Sequence, residues 1–125
     1  VNSEIGTSED VPFAIIDKVP QFPGCSGDNE ALKDCLNRNF REHVLKNFNL
    51  DISKNLGLSG KLKIYTQFKI TKTGTIQIFG VRAPHKDLEV EARRVVNSLP
   101  KMIPGEHNGK KVNVTYMLPI SFNVE

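Results

Sequence analysis

No apolar run in the chain approaches the ~18 residues of a membrane-spanning helix, so nothing in it reads as a bilayer span. No block of lysine and arginine is present either. The 17 basic and 14 acidic residues are dispersed and leave a net charge of +3, which reads as a solvated surface and gives no reason to expect nucleic acid. Cysteine is scarce: Cys25 and Cys35 are too far apart for a Cys-x-x-Cys redox pair, and no second pair exists to complete a zinc site. Their even count is compatible with one disulfide. Gly-x-Ser-x-Gly, His-Glu-x-x-His and phosphate-loop patterns are missing. His43, His85 and His107 stand far apart, in no metal-ligand spacing. The expectation is therefore no catalytic set, no metal and no cofactor. There are no internal repeats, and there is no signal-like start. The chain opens on Val1 and reads as a fragment of something longer.

What is present is ordinary for one soluble domain: 125 residues with 38% hydrophobic and 25% charged content suffice for a single core. The strongest pattern is at the end. Val112, Val114, Tyr116, Leu118, Ile120, Phe122 and Val124 alternate with mainly polar residues, the period of a strand with one face on a core. Pro119 interrupts it. Proline lacks the N–H of a ladder, so it belongs on an edge strand or at a bulge, and a long apolar edge strand is a place where another chain can pair. If Pro119 turns its missing N–H to the open edge, the odd residues share that edge. Asn113, Thr115, Met117 and Ser121 then present their backbone outward, while Val114, Tyr116 and Leu118 pair inside. The expected partner-binding stretch is residues 113–117.

Upstream, residues 1–10 are polar and read as frayed, and residues 11–24 hold Pro12, Pro20 and Pro23 around an apolar run. The reading is an extended arm over residues 1–24, lying against a folded domain over residues 25–125. Asp28 is placed to cap a helix whose stripe is Leu32, Cys35, Leu36, Phe40, Val44 and Phe48. Cys25 falls just before that helix, and a bridge to Cys35 would tie the arm to it. Residues 49–60 read as a loop with room for one helical turn, since Ile52, Leu56 and Leu58 need cover. Leu62, Ile64, Thr66, Phe68 and Ile70 then alternate with Lys61, Lys63, Tyr65, Gln67 and Lys69, and a turn at Gly74 leads into a second strand with a bulge near Gly80. Asp87 is expected to cap a helix burying Leu88, Ala92, Val95, Val96 and Leu99, with Glu89 and Glu91 serving the dipole and Pro100 as the stop. Pro104-Gly105 and Asn108-Gly109 mark turns before the last strand. The simplest packing is a two-layer α+β domain: a three-stranded antiparallel sheet covered on one face by two helices.

Leu88, Glu91-Ala92, Val95-Val96, Leu99-Pro100, Pro104-Gly105, Asn108-Gly109-Lys110, Val112 and Pro119-Ile120-Ser121-Phe122 together closely resemble the C-terminal domain of TonB-family energy transducers. Val19-Pro20-Gln21-Phe22-Pro23-Gly24 is similar to the segment leading into that domain in one branch of the family. Asn49-Leu50-Asp51 and Met102 depart from it, where many members carry Tyr-Pro and Trp. The resemblance implies a TonB C-terminal-like fold in the periplasm, tethered to the inner membrane by a segment absent from this fragment. It implies two partners: inner-membrane proton-driven motor subunits, met through the missing N-terminal part, and a segment of an outer-membrane TonB-dependent transporter, met by strand addition. An oxidising compartment also makes a structural Cys25–Cys35 disulfide the expectation.

Other classes are weaker. A periplasmic peptide- or protein-interaction domain of the same fold, in a protein unconnected with transport, is the alternative. An enzyme would need a cavity with a His–carboxylate pair. A single-stranded RNA binder would need aromatics on the open sheet face, where only Tyr65 and Phe79 are candidates. An open edge allows either a monomer or a strand-swapped homodimer.

Overall fold

The structure is a computed structural model that describes residues 10–124. The fraying expected of residues 1–10 lies outside the described residues except for Asp10. In chain order the strands are β1 (Asp10–Pro12), β2 (Gly60–Ile70), β3 (Ile76–Arg82), β4 (Glu106–His107), β5 (Lys110–Lys111) and β6 (Asn113–Val124). The helices are α1 (Asn29–Asn47), α2 (Asp51–Asn55) and α3 (Lys86–Asn97). The main sheet has the order β1-β6-β2-β3, and β4 and β5 make a separate hairpin. It is a two-layer α+β domain, with one strand more than the three expected.

The extra strand comes from the arm. β1 runs parallel to β6, while β2 lies antiparallel to both β6 and β3. Val11, Ile16 and Val19 are buried against Val112 and Val114 in a small core of their own. Farther along, Lys18 bridges to Glu106 and Gln21 to Ile103. As a correction to a wholly extended arm, Phe13–Ile15 form one 3-10 turn; most of the rest is extended, and β1 makes part of the sheet edge.

Alternation decides the faces. Leu62, Ile64, Thr66, Phe68 and Ile70 of β2 are buried, as are Val114, Leu118, Ile120 and Val124 of β6. All of these but Thr66 and Val114 form one core with Leu36, Phe40, Val44 and Phe48 of the first helical stripe and Leu88, Ala92, Val95, Val96 and Leu99 of the last, while Val114 belongs to the arm's small core. Gln67 pairs with Gly80 and Phe68 with Ile78, so Phe79 is the extra residue of the expected bulge. Gly74 has φ +85°, and a Cβ there would fall 1.8 Å from the carbonyl oxygen of Met102, so no other residue fits.

Two caps show how the helices begin. Asp28 accepts from the N–H of Ala31 at 2.9 Å, as expected. The cap of α3 is a correction: His85 is the N-cap, its Nδ1 accepting from the N–H of Asp87 at 3.0 Å. Asp87 lies instead in the first turn, where its charge suits the dipole. Cys25 and Cys35 are bridged, with Cα atoms 6.0 Å apart.

Candidate functional site

β6 carries the candidate edge. Its even residues are inward, its odd residues 117 to 123 are exposed, and Pro119 lies opposite Tyr65 of β2. On its other side β6 meets β1 in the register Asp10↔Asn113, Val11↔Val114 and Pro12↔Thr115. Pro12 has no N–H, so the ladder cannot use a bond from residue 12 to the carbonyl of Val114. A parallel ladder through Val11 then runs from Val11 N–H to Asn113 C=O and from Thr115 N–H to Val11 C=O. The odd residues of β6 therefore face this edge, by an argument independent of Pro119.

That same pairing corrects the expected binding stretch. Asn113 and Thr115 are covered by the chain's own arm, and both are only partly exposed. The reason is apolar: Val11 is 6% exposed because Val112 and Val114 offer it a hydrophobic seat. Met117, at 54% exposure, and Ser121 lie beyond β1, where no strand among the described residues pairs with that edge. Residues 117–123 are thus the uncovered stretch.

Polar contacts fasten β1 in place. Asp10 accepts from Asn113 Nδ2 at 2.9 Å and pairs with Lys69 Nζ at 2.7 Å. Burial alone would push the Asp10 carboxyl up, but the hydrogen bonds from Lys69 and Asn113 and the Lys69 charge outweigh it and hold it below its ordinary value. Just inside, Phe13 stacks edge-on to Tyr116 with ring centroids 5.0 Å apart, and Tyr116 packs on Phe40 and Phe68. The Tyr116 hydroxyl donates to Asn37 Oδ1. Burial pushes its pKa up to about 12, partly opposed by the Arg41 charge.

Beside the uncovered stretch, α1 and β6 leave a cleft of about 170 Å³ lined by Arg41, Val44, Leu45, Leu118, Pro119, Ile120 and Ser121. The open sheet face is different, with Tyr65, Gln67, Gly80, Arg82 and Met117 lining a shallow groove, and Phe79 exposed nearby. The histidines are scattered. His43 bonds Val95 O and Ser98 Oγ, His85 caps α3, and His107 meets Asp17 at the surface.

Sequence reasoning missed Asp10, Lys69, Arg41 and Leu45. Val11-Pro12 was the available signal for β1, an apolar residue next to a proline that only an edge accepts. For the cleft it was Leu45, an apolar residue off the buried stripe of its helix.

Residues 51–124, from α2 through β6, match the family model described as Gram-negative bacterial TonB protein C-terminal. The resemblance drawn from residues 19–24 lies ahead of the matched region. Comparison with curated proteins found no match, and comparison with solved structures found none.

Proposed function

Because the chain belongs to the TonB C-terminal domain family of Gram-negative bacteria, whose place is the periplasm, we propose that it captures the N-terminal segment of an outer-membrane active transporter by strand addition. In that role it passes on energy drawn from the proton-motive force. The observation that carries the reading is the uncovered backbone edge of β6 at residues 117–123. Along it Met117, Pro119, Ser121 and Asn123 face outward, and seven residues at ~3.3 Å each accommodate a short extended segment. In this reading, sequence outside these 125 residues supplies the inner-membrane tether and meets the motor subunits.

The role is binding, with no chemistry assigned. Supporting this, each histidine has a structural partner, and the pairing of His107 with Asp17 lies at the surface between arm and hairpin. Titration of the isotope-labelled domain with transporter N-terminal peptides tests the proposal. Amide shifts should concentrate on residues 117–123. An unchanged spectrum at millimolar peptide would refute it.

A further inference from the structure

We propose that the cleft between α1 and the uncovered half of β6 is a side-chain pocket for the added strand. It takes a branched aliphatic residue against Leu45 and a carboxylate at Arg41. The inference rests on the strand-addition reading and specifies the chemistry of the segment.

The helix and the strand run the same way. Asn37 meets the hydroxyl of Tyr116, and the ring of Phe48 lies 5.0 Å from that of Phe122. Successive turns of α1 therefore stand over successive residues of β6. Arg41 and Leu45 are four residues apart, hence on one flank of the helix, and both line the cleft with Leu118 and Ile120. Leu45 is 62% exposed although its neighbour Val44 is buried.

A strand added to this edge lies ~4.8 Å beyond β6, with every second side chain on the helix side. One of them falls between Leu45 and the strand. The next on that face is ~6.6 Å along, close to the ~6.0 Å rise of the four helical residues that separate Leu45 from Arg41. Among the described residues Arg41 makes no ion pair, and its charge lowers the pKa of the partly buried Tyr116 against the effect of burial. A carboxylate two residues from the aliphatic side chain would meet it. The occupant is another protein, because a second copy's β6 contains no acidic residue, and Glu125 just after it has Asn123 two positions away where the pocket asks for an aliphatic side chain. Displacing β1 instead would expose Val11 and break the Asp10–Lys69 pair, so the free stretch is the cheaper place to bind.

The probe is a capped peptide of threonines carrying one leucine and one aspartate two positions apart, made in both orders. Against the parent it should shift residues 117–121 and the Leu45 methyls. Replacing its leucine by alanine, or using Leu45→Ala, should weaken binding on the order of tenfold. Replacing its aspartate by asparagine should weaken binding to the parent about threefold and leave binding to Arg41→Gln unchanged. Both positions are exposed, so unchanged melting confirms that the variants fold. Shifts on residues 117–121 that ignore both substitutions would overturn the pocket and leave strand addition standing. Peptide shifts at Asn113 and Thr115 with loss of the β1 signals would overturn it by placing the segment on the arm's seat. Concentration-dependent shifts without peptide would give the edge to a second copy, and no shift on β6 would remove both readings.

Discussion

The carboxylate of Asp10 lies 2.7 Å from the ammonium of Lys69 although β6 runs between their strands. The contact straps the first described residue across the strand that the rest of the domain uses as its edge. It also fixes how much of that edge is free, because Asp10, Val11 and Pro12 occupy the places opposite Asn113, Val114 and Thr115.

Asp10→Asn should loosen β1 without unfolding the domain. A half-buried pair of this kind contributes about 1 kcal/mol, so amide exchange at Thr115 should rise about fivefold. The Asp10 carboxyl is held low, so its contribution is complete above the unfolded pKa and disappears as pH falls through the folded value. The parent should show the same loosening in acid, and the variant no further change. Equal exchange in both proteins at neutral pH would show that Val11 alone holds the strand.

Reducing the Cys25–Cys35 bridge should lower stability by about 2–3 kcal/mol, the chain-entropy value for so short a loop. Denaturant melts with and without reductant measure it. The loss belongs to the join between arm and α1, so the residues of β2 and β3 should keep their native amide shifts in the reduced protein.

Glu91→Gln tests a clamp between helices. Glu91 is 6% exposed, with Arg94 Nε and Nη2 at 2.8 and 2.6 Å and the N–H of Asn49 at 2.8 Å. Arg94 also donates to Asn47 O at 2.8 Å, so α3 holds the connection between α1 and α2. The Arg94 hydrogen bond lowers the Glu91 pKa against the effect of burial. Its stabilisation is therefore present above the ordinary carboxylate range and lost on acidification. The variant should lose about 1–2 kcal/mol at neutral pH and show a shallower acid slope in denaturant titrations from pH 7 to pH 3.

Proline scanning along β6 separates edge from interior. Met117→Pro removes an N–H that faces the uncovered edge, so peptide binding should fall while melting stays near the parent. Tyr116→Pro removes one that faces β2 opposite Phe68 and also deletes a ring packed on Phe40. A loss of about 3 kcal/mol or more is expected. Equal destabilisation by the two would reverse the assignment of odd and even residues.

The sheet face and both long helices were legible because alternation and the three-to-four-residue stripe are strong local signals. Pro119 announced an edge correctly but could not say what lies along it. That depended on Asp10–Pro12 meeting residues about a hundred positions away, in a strand too short to show a period. His85 escaped notice as a cap because an imidazole is an uncommon acceptor there, and Asp87 two residues later fits the usual chemistry. Glu91 read as a dipole partner because its burial comes from α1 and the chain after it. The cleft at Arg41 and Leu45 exists only once α1 is laid along β6, which no spacing within the helix reveals.

The parallel direction of β1 also has a mechanical meaning. Tension applied along the chain ahead of Asp10 acts along the axis of β6, and a segment held on residues 117–123 would pull on the same strand. Both loads then fall on hydrogen bonds lying across the pull, which share the strain as a group and do not unzip from an end. β2, paired with β6 over its whole length, is the beam that resists, and the helices stand outside the line of force.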